Sequence, residues 1–442
     1  MASVSHPDFP HSHLLLTPPQ MQAADHAYVV QGGDSWGLMQ MAARQVANYI
    51  LDHCHCRPVH VLAGPGNNGA DGVVVAAYLR EAGWPVSISR QGVLPKSPDG
   101  KKALKLWGAP VPEAKGVLPP ADIYVDALFG AGLNRPLKGN ASALVAAMNA
   151  SDARIIAIDM PSGIDGATGQ ALGEAVIADD TVSFFRPKPG HFLQPGRNHC
   201  GRLAIRDIGL SRDHVAADTG RLALNDPGIW GAALPSLKVA HKYARGRLWV
   251  LGGVWMTGAA ALAAASGLRA GAGLVGIAAS NDETAAIYRR YERALLTAEA
   301  VDVGDWRALL NRFQPDCLVL GPGLSNHPDP MSWIKVGLEE VPQAVIDADG
   351  LNAFQNNPDD FFALLGPNMV LTPHQGEFDR LFGHLFGPGP NADDHNGAGA
   401  EAETRAGKQL LSRLERAQIA AKQAGCTVVL KPSEVAPLSA QI

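Results

Sequence analysis

Residues 59–80 read VHVLAGPGNNGADGVVVAAYLR. The apolar run Val59–Ala63 has the composition of a buried parallel strand. Gly64-Pro65-Gly66-Asn67-Asn68-Gly69 reads as a loop, and a helical pattern starts at Asp71. Strand, glycine-rich loop and helix is the arrangement by which α/β folds offer backbone N–H groups to an anion. No GK[ST] follows these glycines, which argues against the usual nucleotide-hydrolysis chemistry. A phosphate-bearing ligand is expected here.

Outward from this stretch the same alternation continues. Strands are expected at Pro85–Ser89, Ile123–Ala127, Ile155–Ile158, Val182–Phe185 and Leu203–Ile205. Helical patterns at Val73–Ala82, Lys101–Leu106 and Ser142–Met148 lie between them. This order predicts a parallel sheet covered on both faces, a three-layer sandwich. Upstream, Met21–Leu51 reads as helical with a break at Gly32-Gly33, behind a flexible leader over 1–20. A turn-rich linker, 211–235, precedes a second α/β block over 236–442. Its strands are expected at Leu248–Leu251, Leu274–Ala278, Cys317–Leu320, Ala344–Ile346, Met369–Leu371 and Thr427–Leu430, with helices notably at Gly258–Ala270 and Glu401–Ala424. Gly387–Gly399 reads as a mobile loop or insertion.

The 442 residues suit two or three domains, and a 46% apolar content is enough for large cores. The net charge of -5 gives no support to nucleic acid or an anionic membrane as partner. Five scattered cysteines argue against a disulfide framework and for a reducing compartment, the cytoplasm. His53-Cys54-His55-Cys56 invites a metal reading, but alternating ligands at that density cannot converge on one ion, so a polar loop is expected. Leu248–Leu268 carries no charge over 21 residues, yet its glycines and alanines fit strand, turn and helix better than a membrane span.

Three further strand ends resemble the opening loop in kind. Asp126 precedes Leu128-Phe129-Gly130-Ala131-Gly132; Asp159 precedes Met160-Pro161-Ser162-Gly163; Phe185-Arg186-Pro187-Lys188-Pro189-Gly190 carries two cations. Parallel sheets bind ligands outside their carboxyl edge, where Asn67, Asn68, Asp71, Asp126, Asp159 and Ser162 would meet. Their oxygens suit a hard cation, and a shielded Asp159 suits proton transfer. Singly each is explained as a cap or turn residue. Four such strand ends in one domain favour a site.

GPGNNGAD, DALFGAGL, IDMPSGIDGATG and TVSFFRPKPG resemble the motifs of NAD(P)H-hydrate epimerases, as does the leader at Met21–Asp25 and Gly37–Met39. The resemblance covers about 21–210 and implies a Rossmann-like fold. It departs at Ala70, where the family usually has glycine. It implies a substrate in which water has added to the nicotinamide ring of NADH or NADPH, with interconversion of the two epimers at the hydroxyl-bearing carbon. Asn67, Asn68, Gly69, Ala70 and Asp71, with Gly130, Ala131, Gly132, Leu133, Asn134, Arg135 and Pro136, would hold that substrate. Asn68, Asp126 and Ser162 would bind potassium. Asp159 would contact the ring as the acid/base group. Lys188 is read as a cation facing the pyrophosphate or as a plain surface lysine.

The second block, with GRLWVLGG, GAGLV, LGPGL, IDADGLN and LTPHQGEF, is similar to the ADP- or ATP-dependent NAD(P)H-hydrate dehydratases and implies a ribokinase-like fold. Gly323 and His374 match substrate positions, Glu377 and Asp349 would shape the site, and ADP or ATP with magnesium is the implied cofactor. Trp255 stands where a small residue is usual. The strand at Thr427–Leu430 is followed by Lys431, Pro432 and a short tail, and no GxGD loop occurs in 236–442. An incomplete, C-terminally truncated domain of impaired activity is therefore expected. A homo-oligomer is expected as well. Two other classes compete with a repair enzyme. A non-catalytic scaffold, as in enhancer-of-decapping relatives, would lack the Asp126, Asp159 and Asn set. A small-molecule kinase would need the GxGD.

Overall fold

The computed structural model describes residues 13–216, 222–234, 241–386 and 412–431. The chain divides into two compact units, 1–233 and 234–442. Residues 1–12, the Gly387–Gly399 stretch, the front of the expected helix from Glu401 and the tail from Pro432 lie outside the described residues.

The first unit holds six parallel strands, β1 (Val59–Ala63), β2 (Val86–Arg90), β3 (Ile123–Ala127), β4 (Arg154–Ile158), β5 (Asp180–Phe184) and β6 (Arg202–Arg206), in the order β2-β1-β3-β4-β5-β6. Alternate residues feed two cores. Val59, Val61, Val125, Ile156, Ile158 and Val182 pack with α2 (Ser35–His53) and α3 (Asn67–Glu81). Leu62, Tyr124, Ile155 and Ala157 pack on the other face with Leu144, Val145 and Met148. The three-layer reading therefore holds. So does the rule that strands buried on both faces lose their polar alternation.

Two local expectations are corrected. The helix after β1 begins at Asn67, not Asp71, with Gly66 as N-cap. Asn67, Asn68 and Gly69 thus form its first turn, where poor helix formers are tolerated because the N–H groups have no intrahelical partner. Of the expected leader, Leu14, Leu15 and Leu16 are buried, and α1 (Pro18–Val30) starts inside it with Thr17 and Gln20 forming a capping box.

The second unit has seven parallel strands, β7 (Arg247–Leu251), β8 (Leu274–Ala279), β9 (Leu296–Glu299), β10 (Cys317–Leu320), β11 (Ala344–Ile346), β12 (Met369–Leu371) and β13 (Thr427–Val428), ordered β13-β12-β11-β10-β7-β8-β9. β9 was not foreseen: its LTAE run is short and half-polar, as befits an edge strand. The uncharged run at 248–268 resolves into β7, a turn and the helix Thr257–Ala270. Among the described residues no helix is long and apolar enough to cross a membrane.

Both sheets reverse their strand order once, between β1 and β3 and between β7 and β10. Such a switch point opens a crevice at the carboxyl edge. In each unit a glycine lets the two flanking loops touch there. A Cβ on Gly64 would lie 1.6 Å from the Leu128 carbonyl oxygen, and one on Gly253 would lie 1.6 Å from that of Gly323.

Candidate active sites

In the first unit the loops after β1, β3, β4 and β5 meet at the carboxyl edge. Asp126, the penultimate residue of β3, is fully buried. Its Oδ1 accepts from the Ser162 hydroxyl at 2.6 Å and from Leu128 N–H at 3.2 Å, and its Oδ2 accepts from Ser162 N–H at 2.7 Å. Burial pushes its carboxyl up to about 6 against these hydrogen bonds. Asn68 lies beside Gly130, whose Cβ would be 3.3 Å from the Asn68 amide carbon, and its Nδ2 is buried without a hydrogen-bond partner.

Asp159 follows β4 in a left-handed backbone conformation, φ 67°. A non-glycine residue there marks local strain of the kind held at functional sites. Its Oδ2 accepts from Ala131 N–H at 3.2 Å, and its Oδ1 accepts from the Ser183 hydroxyl at 3.0 Å and from the Lys188 ammonium. Lys188 also donates to Ser183 Oγ at 2.9 Å. His191 holds this turn from behind, with Nε2 2.8 Å from the Asp159 carbonyl oxygen and Nδ1 accepting from Lys188 N–H at 3.0 Å. Burial and then Lys188 push His191 down to about 4, so it is neutral. For Asp159 burial is the largest influence and acts upward, but Lys188 and Ser183 together hold the carboxyl below its ordinary value. Asp159 is thus an ionised carboxylate, 19% exposed.

Lys188 departs from both of its sequence readings. It is 2% exposed, an inward partner of Asp159 rather than a surface or pyrophosphate-facing cation. Two more carboxyls act on the same spot. Burial pushes Asp71 well above the usual carboxylate range, with Asp159 and Asp25 adding to it. Burial raises Asp25 to about 6, Lys188 opposing and Asp159 reinforcing. Asp71 was expected here; Asp25, on α1, was not. Leu133 is buried, whereas Asn134, Arg135 and Pro136 are exposed.

The opposite edge of this sheet carries a closed ion network that sequence reading also missed. The buried Asp180 accepts from Tyr49 at 2.6 Å, Arg154 Nε at 2.7 Å and Arg202 Nε at 3.2 Å. It satisfies itself and staples the strand starts together. His53, in the cysteine-histidine cluster, ends α2 with Nδ1 2.9 Å from Tyr49 O. No metal-binding group of three His, Cys, Asp or Glu residues occurs among the described residues.

In the second unit the ends of β7, β10, β11 and β12 converge. Gly323 adopts φ 81° beneath the Trp255 carbonyl, where a Cβ would be 2.4 Å away. Trp255 itself is 60% exposed. Asp349 accepts from the Ser325 hydroxyl at 3.0 Å. His374 caps the helix Gln375–Phe382: its Nδ1 accepts from Gly376 N–H at 3.0 Å, and Glu377 returns the contact to His374 N–H at 2.8 Å. Nε2 of His374 is 3.3 Å from Glu377 Oε1. Lys431 pairs with Asp347 at 2.7 Å, joining the last described residue to the end of β11.

A family model described as YjeF-related protein N-terminus matches residues 35–190, and one described as NAD(P)H-hydrate dehydratase matches 248–436. The chain is 32% identical over 373 residues to the bifunctional NAD(P)H-hydrate repair enzyme Nnr of Moorella thermoacetica, covering 78% of this chain and 70% of that protein. The chain belongs to the family of bifunctional NAD(P)H-hydrate repair enzymes. The enzyme of the same name from Coxiella burnetii is 31% identical, covering 82% of this chain and 75% of that one. Among solved structures, the ADP/ATP-dependent NAD(P)H-hydrate dehydratase of Bacillus subtilis, co-crystallized with ATP and Mg2+, is 22% identical. It covers 34% of this chain and 52% of its own, with a TM-score of 0.26. The two matched segments of this family member fall one in each unit.

Proposed function

We propose that the chain repairs hydrated NADH and NADPH, its first unit interconverting the epimers and its second removing the added water with ADP or ATP. Family membership carries this reading, and the first unit's carboxyl edge supports it. Water adds to an enamine so that the hydroxyl lands on the carbon next to nitrogen. That carbon inverts if its C–O bond is broken and remade, which requires a proton donor and an acceptor. Asp159, ionised and fixed by Ser183, Lys188 and Ala131, is the acceptor. The N–H groups at Asn67–Asp71 and the turn at Gly130–Pro136 would hold the pyrophosphate and ring.

Potassium fits the residues present. Asp126 is a buried carboxylate on which no cation acts among the described residues, the Ser162 hydroxyl and the Phe129 carbonyl supply neutral oxygens around it, and the Asn68 amide lies beside Gly130 in the loop that follows. Such an all-oxygen, singly charged set suits a large hard cation. When bound, that ion would supply positive charge beside the substrate's phosphates. In the second unit Gly323 and His374 would contact substrate, with Asp349 and Glu377 fixing the loops. The residues on which the expected impairment turns, beyond Lys431, lie outside the described residues.

The test is epimer analysis by chromatography on wild type and Asp159→Asn. Wild type should speed the approach to equilibrium, and Asp159→Asn should lose at least 100-fold with unchanged folding. A fully active Asp159→Asn enzyme would remove Asp159 from the reaction.

A further inference from the structure

Asp159 sits in a backbone conformation that its residue type disfavours, so its surroundings must impose it. Its φ of 67° is left-handed, and such values persist only where neighbouring structure over-determines them. The Asp159 N–H is tied to the Val182 carbonyl at 2.8 Å, and the next N–H, of Met160, turns back onto Ile158 at 2.8 Å. That leaves the Asp159 carbonyl. Among the described hydrogen bonds its partner is His191 Nε2, at 2.8 Å.

The two contacts of the imidazole fix its protonation. A carbonyl oxygen only accepts, so Nε2 carries a proton. Nδ1 accepts from the Lys188 N–H at 3.0 Å, so it carries none. One neutral tautomer alone makes both bonds. The ring is buried, and with both nitrogens spent on backbone it has nothing left for a substrate. His191 is delivered by a tight turn, Pro189–His191, whose own N–H groups are anchored. Gly190 N–H donates to the Gly166 carbonyl at 2.9 Å, and His191 N–H donates to the Lys188 carbonyl at 3.1 Å. A Cβ on Gly190 would lie 2.5 Å from the Asp165 carbonyl oxygen, so this turn sits directly on the loop that follows Asp159. One side chain thus joins the backbone of the base to the backbone of its ammonium partner.

We propose that His191 is a positioning residue of the epimerase, a neutral tie that locks the left-handed Asp159 turn to the Lys188 turn. The tie keeps the Asp159 carboxylate among its three donors, Lys188, Ser183 and Ala131 N–H, and oriented as the proton acceptor. Without it the Asp159 carbonyl loses its partner, the backbone relaxes toward the right-handed region, and the carboxylate swings off those donors. His191 therefore acts on the reaction through Asp159 and not on the substrate.

This inference rests on the epimerase reading, and the experiment separates the two. Three substitutions divide the two bonds. His191→Gln places an amide N–H near Nε2 and keeps the bond to Asp159. His191→Asn places an oxygen near Nδ1 and keeps only the bond from Lys188, and His191→Leu keeps neither. The full-length proteins are assayed for epimer interconversion across pH, with melting curves as folding control. His191→Leu and His191→Asn should lose about 100-fold in kcat, the effect of a misplacement of about 1 Å, with little change in KM. His191→Gln should recover most of that loss. In the Leu and Asn variants the acidic limb of kcat should move to higher pH, because Asp159 slips from Lys188 while the carboxyls of Asp25 and Asp71 still bear on it. A merely structural role would lower the Tm of all three variants and leave that limb in place. Wild-type kcat in His191→Leu, a lowered kcat with an unmoved limb, or a His191→Gln enzyme no better than His191→Asn overturns the inference while the epimerase reading stands. Should the variants not fold, histidine-labelled wild type read by NMR at pH 7 decides the matter. A neutral His191 protonated at Nε2 is expected, and an imidazolium or a ring protonated at Nδ1 overturns the inference. A wild type without epimerase activity removes both.

Discussion

Replacing Lys188 by methionine removes the one buried ammonium at the first site and keeps the length of the side chain. In the wild type, Lys188 is what holds the Asp159 carboxyl below its ordinary value against burial. Without it, burial is opposed only by the Ser183 and Ala131 hydrogen bonds, and the carboxyls of Asp25 and Asp71 remain nearby. Removing one partner of a buried pair costs about 3–5 kcal/mol. Asp159 retains 19% exposure, so the low end, about 3 kcal/mol, is the expected loss at pH 7. For a unit of this size that corresponds to a Tm drop of roughly 6–12 °C. The pH dependence gives the sign. In the wild type the folded Asp159 pKa is depressed, so its stabilisation is present above the unfolded value of 3.8 and fades as pH falls toward the folded one. In Lys188→Met the folded pKa is raised, so the destabilisation is complete at pH 7 and relieved as pH falls through the raised value. Calorimetry of both proteins from pH 7 to pH 4.5 should therefore show the gap narrowing, because the variant neutralises Asp159 while the wild type has not yet lost its pair. A gap that is constant with pH, or smaller than about 1 kcal/mol, would refute the ion-pair account.

Other outcomes follow from the same geometry. Potassium should raise the Tm of the first unit more at pH 8 than at pH 5, since Asp126 carries its charge only above about 6, and Asp126→Asn should abolish the shift; sodium is the control in the melting series. Gly64→Ala should destabilise the first unit by about 3 kcal/mol or more, because the added methyl meets a backbone oxygen rather than a movable side chain. Gly253→Ala should do the same to the second unit, and two-transition calorimetry distinguishes them. His374→Ala should cost about 1 kcal/mol through the lost cap and also weaken substrate binding by the second unit, measured as a raised KM for dehydration.

Sequence reading reached what is local. Each strand whose end carries Asp126, Asp159 or His374 is a short apolar run closed by glycine or proline, and both signals come from neighbours in the chain. The convergence of these ends follows from one topological rule. What stayed hidden depends on packing. Lys188 carries no local sign of whether it faces solvent or core, and its burial is decided by β5 and the turn at His191. Asp25 sits on a helix with only Met21 and Ala24 buried. Its electrostatic coupling to Lys188 and Asp159 arises only once Leu16 bonds Pro187 and the helix packs on the core. The helix start at Asn67 was obscured because asparagine and glycine are weak helix formers in an interior, a penalty that does not apply to a first turn. The Asp180 network joins residues more than a hundred positions apart, which no single-sequence pattern encodes.

The most direct measurement is the rate at which the full-length protein interconverts the epimers of hydrated NADH, above the uncatalysed rate, in potassium buffer near neutral pH. The account predicts that a pure epimer becomes the equilibrium mixture at a rate proportional to protein concentration, and that Asp159→Asn does not produce this. A wild-type protein that leaves the uncatalysed rate unchanged would contradict it.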